Sequence, residues 1–157
     1  MPESPLHLSE RLLDEGQKTL KFFSDWSEGN WGLIVYNDGS SWNVQQILAH
    51  FVSAEAGFLS LIKDVLNGGS GAAEDFDIDS YNQESVARMQ NTPVAELSDQ
   101  FWSLRQKNAE IVSKMTSDDL DRRGRHPFLG EATLRDMIKL IYRHNQIHLR
   151  DIRRAMG

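Results

Sequence analysis

Residues 137–154, MIKLIYRHNQIHLRDIRR, place Met137, Ile141, His144, His148 and Ile152 at successive steps of four, three, four and four. Those steps recur once per turn of an α-helix, so the side chains share one face, the core-facing stripe of an amphipathic helix. Two of the five are imidazoles where leucine would pack better. Four residues advance about 400°, leaving i and i+4 side chains some 40° apart and about 6 Å along the axis. Ring nitrogens of His144 and His148 can therefore converge on one atom. A buried neutral imidazole without partners costs free energy, and imidazole is a good ligand for zinc, nickel or iron. A shared metal ion would resolve that conflict.

This helix is expected to begin near Glu131 and run almost to the C-terminus. Working upstream, Thr92 and Pro93 read as N-cap and first residue of another helix, with Leu97, Phe101, Leu104, Ile111 and Met115 as its stripe. A segment from about Asn43 to Leu66 carries a wide apolar arc, with Ser41 as the expected N-cap and the terminator NGGSG at its end. The first periodic segment runs from about Leu6 to Trp26 and stops in SEGNWG, and the turn-rich NDGSSW follows. Between Leu66 and Asn91 an acidic stretch reads as a loop plus a short helix, longer than a typical bundle connection. No segment shows a run of strand alternation. The 157 residues suffice for one domain, residues 1–157, and the pattern predicts an all-α four-helix bundle with a long crossover.

The second segment supplies a third imidazole. His50 follows Ile47 by one turn, on a strip with Ala54 and Gly57 that leaves room for a neighbouring helix or a ligand. His50 with His144 and His148 would make three protein ligands and leave a coordination position open, the pattern of catalytic rather than structural sites. Imidazoles that satisfy one another inside the core would fit the same spacing.

Other constellations are weaker. Asn145 stands where the zinc-protease signature HExxH has its glutamate, and DFDIDS fails as a calcium loop at Ser80 and Val86. GGSG lacks a phosphate loop's Lys-Ser/Thr, and no GxSxG elbow exists. Glu55, five residues beyond His50, is a candidate base, although its offset points to a structural role. Arg122, Arg123, Arg125 and His126 can line a site mouth for an anionic substrate, as can Arg143, or form a solvated loop. Arg143, Arg150, Arg153 and Arg154 are explained by the helix macrodipole, worth about 0.3–1 kcal/mol each. His7 is expected to be exposed. Trp31, Tyr36 and Trp42 read as core caps, or in the minority case as a pocket wall.

Composition bounds the function. The sequence has no cysteine, which excludes disulfides, thiolate ligands and cysteine nucleophiles and fits a cytoplasmic protein. MPESPLHLSE shows no secretory signal, and no apolar run approaches the roughly 20 residues needed to span a membrane. A net charge of -6 argues against nucleic acid as a partner.

SSWNVQQILAHFVSAE (40–55) resembles the second helix of the DinB/YfiT-like family of metalloenzymes, and LGEATLRDMIKLIYRHNQIHLRDIRRAMG (129–157) its last helix with HxxxH. The order and spacing of these motifs agree across nearly the whole chain. The resemblance implies an up-down-down-up four-helix bundle, often a homodimer. It also implies a nickel or zinc ion held by His50, His144 and His148. Some members are transferases that use a low-molecular-weight thiol such as bacillithiol or mycothiol, and one branch isomerises maleylpyruvate. The expected protein is thus a metal-dependent transferase or hydrolase of a small-molecule substrate. A non-catalytic metal sensor or sequestering module is the alternative, and a metal-free interaction bundle another.

Overall fold

The computed structural model describes residues 3–26, 28–37 and 41–157; the turn expected at Asp38, Gly39 and Ser40 lies outside them. Five helices, α1 (Pro5–Ser24), α2 (Val44–Leu66), α3 (Ile78–Arg88), α4 (Val94–Ser113) and α5 (Leu134–Met156), carry the fold. Two antiparallel hairpins join them, β1 (Ile34–Tyr36) with β2 (Trp42–Asn43), and β3 (Arg123–His126) with β4 (Gly130–Thr133). Helices α4 and α5 each pack against both α1 and α2, so the expected all-α four-helix bundle is present, with α1 and α2 diagonal to each other. The short α3 lies on α2 and buries Val86, filling the long acidic connection.

Local chemistry sets the ends. Ser4 caps α1 by accepting from the His7 N–H, with Pro5 in the first turn. The N-cap of α2 is Asn43 rather than the expected Ser41. Asn43 accepts from the Gln46 N–H at 2.9 Å while the Gln46 side chain accepts from the Asn43 N–H at 2.8 Å, a complete capping box. Asp77, from the failed calcium motif, is the N-cap of α3. Pro93 rather than Thr92 precedes α4, with no side-chain cap. The start expected near Glu131 is strand β4, and α5 begins at Leu134 behind Thr133. Strands of two to four residues are too short for alternation to show. Their placement matters, because β2 runs directly into α2 and β4 directly into α5.

The core is divided. One apolar cluster contains Leu8, Leu12, Phe58, Ile62, Val112, Met137 and Ile141; a second contains Phe23, Ile47, Phe51, Leu97, Phe101, Leu149 and Ile152. Along each bundle helix, buried polar residues separate the two: Glu15 on α1, Ser53 and Glu55 on α2, Arg105 and Asn108 on α4, Asn145 on α5, with His50 buried one turn before Ser53. Arg105, with no exposed surface, donates to the Glu55 carboxylate, to the Leu12 carbonyl at 3.0 Å and to the Asn145 side-chain oxygen. Asn108 donates to Oε2 of Glu55 at 3.0 Å, an oxygen that Arg105 also reaches. One guanidinium thus ties all four bundle helices together.

Gly16 makes room for it. A Cβ there would lie 2.9 Å from Cγ of Arg105 and 3.0 Å from the Trp102 ring. Helix propensity alone favours Gly→Ala by about 1 kcal/mol. Here the sign is expected to reverse, because the Arg105 stem is pinned by its hydrogen bonds and cannot retreat. Gly16→Ala should destabilise by about 1–3 kcal/mol in urea unfolding. A stabilised variant would show that the arginine is not held.

Candidate metal centre

The three imidazoles singled out above meet beside this polar layer. His50 comes from α2, one helical turn into the arc that follows its capping box, and His144 and His148 come from successive turns of α5. The Nε2 atoms of His50 and His144 are 2.8 Å apart, those of His144 and His148 3.1 Å, and one ring nitrogen from each of the three falls within 4.8 Å of the others. His50 is buried, and the other two are half-buried. Aromatic rings enclose them: Trp42 lies 5.0 Å from His50, Phe51 5.8 and 5.6 Å from His144 and His148, and Phe58 6.3 Å from His144, between centroids.

Burial dominates the electrostatics. It pushes His50 down to about 3, helped by His148, and His148 down to about 4 against the upward pull of Asp151. His144 lies well below the usual imidazole range through burial, then through the two other rings and Arg105. Near pH 7 all three are neutral, the form that binds metals.

Tyr36 and Asp151 fix one tautomer. Burial and the hydrogen bond to Asp151 raise the Tyr36 pKa, so the phenol keeps its proton. The phenol donates it to Asp151 at 2.5 Å, which leaves its oxygen to accept from His148 Nδ1–H at 2.7 Å. With that proton on Nδ1, neutral His148 presents a bare Nε2 to the cluster. His144 Nε2 then lies between two ring nitrogens while having one proton or one lone pair to offer. Only one of its two contacts can be a full hydrogen bond. A cation at the meeting point would accept all three lone pairs at once.

The spacing fits such an ion. Nitrogens that share a zinc ion lie about 3.3 Å apart, so the His50–His144 pair would need to spread by roughly half an ångström and the His144–His148 pair by less. Buried Nδ1 atoms of His50 and His144 have no partner among the described residues, so of the three rings only His148 is oriented by a hydrogen bond from outside the cluster. Tyr36→Phe should therefore weaken zinc or nickel binding by about 10–100-fold in chelator competition, with unchanged helicity. Equal affinity would show that the phenol does not orient the ring.

The remaining candidates divide between the surroundings of the cluster and sites away from it. Glu55 is buried, with both carboxylate oxygens occupied by Arg105 and Asn108, the structural of its two readings. His126 is buried on β3, its ring stacked on Phe58. Arg143 is exposed and forms no ion pair or hydrogen bond among the described residues. Arg122 and Arg125 pair with Asp119 and Glu74. Of the three aromatics, Trp31 stacks on Phe23 in the core, whereas Tyr36 and Trp42 stand at the cluster. Asp151 was missed, although its position three residues after His148 is the i,i+3 signal for a shared helix face.

Fold and site together define an all-α four-helix bundle with a three-histidine cluster at mid-height. The family model of the DinB superfamily matches residues 11–152, and the chain belongs to that superfamily. No curated protein matches the sequence.

Solved structures share the fold. YfiT from Bacillus subtilis, described as a probable metal-dependent hydrolase with an unusual four-helix bundle topology, is 16% identical with a TM-score of 0.76, over 94% of this chain and 83% of YfiT. The colibactin self-resistance protein ClbS, crystallised in complex with double-stranded DNA, is 14% identical with a TM-score of 0.72, over 98% of each chain. A mycothiol-dependent maleylpyruvate isomerase is 13% identical with a TM-score of 0.70, over 94% of this chain and 59% of the isomerase. The ClbS complex overturns the exclusion of nucleic acid drawn from net charge. Net charge sums the whole surface, whereas association responds to local patches, and a basic patch can exist under a negative total. No helix of the described residues is long and apolar enough to cross a membrane.

Proposed function

We propose that this protein is a divalent-metal-dependent enzyme that activates a thiol or water for transfer to, or hydrolysis of, a small electrophilic substrate. The observation that carries this reading is the convergence of three neutral imidazole nitrogens, two of them contending for one atom of the third. His50, His144 and His148 would hold the ion, and their all-imidazole character suits nickel or zinc. A divalent cation there supplies Lewis acidity, which makes a nucleophile available near neutral pH. Tyr36 and Asp151 hold the His148 ring in its ligand tautomer, and Trp42, Phe51 and Phe58 exclude water from the far sides of the cluster. Glu55 takes no part in proton transfer, since Arg105 occupies it. The thiol option is supported by the mycothiol-dependent relative and the hydrolytic option by the description of YfiT.

The test is element analysis of untagged protein before and after reconstitution with nickel and zinc. Turnover screens with activated esters, and with low-molecular-weight thiols plus electrophiles, follow on the loaded protein. About one ion per chain with metal-dependent turnover is expected. Stoichiometric metal with no turnover would favour a sensor or sequestering role. No uptake after reconstitution would leave an interaction bundle with mutually hydrogen-bonded histidines.

A further inference from the structure

The hairpin that leads into α5 presents a second polar device beside the cluster. His126, at the end of β3, is only 6% exposed. Its Nδ1 accepts from the backbone N–H groups of Phe128, at 3.0 Å, and Leu129, at 3.1 Å. A nitrogen receiving two donors is unprotonated, so the proton of the neutral ring sits on Nε2. Burial pushes the pKa of His126 down to about 4, which keeps the ring neutral near pH 7. Nε2–H finds no partner among the described residues, yet it is not among the side-chain nitrogens sealed from solvent. A buried ring therefore offers one free donor with a fixed tautomer.

Its surroundings place that ring one aromatic side chain away from the cluster. The His126 ring stacks on Phe58, with centroids 5.9 Å apart and planes 28° apart, and Phe58 also contacts His144 edge-on. β3 packs against both α2 and α5, the helices that carry the three histidines. Gly130, at φ +74, allows the tight turn that brings both backbone donors onto Nδ1. If the ring only capped the turn, a small Asn or Asp would serve.

We infer that His126 is a substrate-orienting residue whose Nε2–H donates to an oxygen acceptor, a carbonyl or carboxylate, of the small molecule bound at the three-histidine centre. The inference rests on the metal reading above, and its test separates the two. Cobalt(II)-loaded protein is titrated with acetate, which carries the acceptor, and with imidazole, which carries no oxygen, and binding is followed in the visible spectrum. His126→Asn keeps an acceptor for the turn at the Nδ1 position and loses the distal donor. Acetate should bind the variant about tenfold or more weakly, while cobalt and imidazole bind as before. Equal acetate affinity in the two proteins would overturn the role of His126 and leave the metal site standing. Failure of the parent protein to take up cobalt would overturn both. Should the variant not fold, nitrogen-15 NMR of the parent protein decides. The Nε2–H tautomer and a shift of its signal on adding acetate to the zinc-loaded form are expected. An Nδ1–H tautomer or an unmoved signal would end the proposal.

Discussion

Protein carrying His50→Ala should bind nickel or zinc at least about a hundredfold more weakly than the parent chain, and His148→Ala should do the same. Four-ligand structural zinc sites are worth about 10–16 kcal/mol, or about 3 kcal/mol per ligand, and each 1.4 kcal/mol is tenfold in affinity. Here the loss concerns one of three ligands, and the two left on α5 cannot close the site from the opposite side of the bundle. Thermal unfolding gives a readout that needs no substrate. A ligand at 100 times its Kd stabilises by about 2.7 kcal/mol, and a chain of this size shifts by about 2–4 °C per kcal/mol. Metal should raise the parent Tm by about 5–11 °C and leave that of His50→Ala almost unmoved. An equal rise in both would show that the ion binds elsewhere and would remove α2 from the site.

The histidines of α5 were legible because they sit on an otherwise apolar stripe, and the short spacing rules of a helix give their geometry directly. His50 was legible only as a possibility, since convergence across two elements depends on how α2 and α5 pack. The polar layer was hidden for a related reason. The steps from Leu97 through Phe101, Arg105 and Asn108 to Val112 are four, four, three and four, the same period as in α5. Reading only apolar residues selects Leu104 and Ile111 instead, which are half-buried neighbours of the true face. An arginine is assigned to solvent by default because unpaired burial is prohibitive, and its partner Glu55 lies 50 residues away in sequence. Tyr36 fails for another reason. Its role is fixed by a hairpin three residues wide whose register no periodicity reveals.

Arg105→Met is expected to cost about 3–5 kcal/mol, the largest stability loss from one substitution outside the apolar core. The methionine fills much of the volume, so the loss is electrostatic. It leaves a Glu55 carboxylate that is 1% exposed with Asn108 as its remaining side-chain donor and removes the donor to the Asn145 side-chain oxygen, while the Leu12 carbonyl loses only its second partner because it lies inside α1. Glu55→Gln should cost less, because the amide oxygen still accepts from Arg105 while the stranded charge is the weakly hydrated guanidinium, which retains Leu12 and Asn145. Combining Arg105→Met with Glu55→Gln should be less destabilising than the sum of the single changes, since the buried carboxylate no longer exists to be stranded. Urea unfolding of the four proteins supplies the cycle. Strict additivity, or a single loss below about 1 kcal/mol, would mean that water reaches Glu55 and screens it, and would contradict its burial. Because Asn145 adjoins His144, chelator competition on the same four proteins asks one further question. If the network only holds the bundle together, metal affinity should follow stability across the set. If it also sets the rotation of α5, Arg105→Met should lose metal affinity at urea concentrations where the variant is still fully folded.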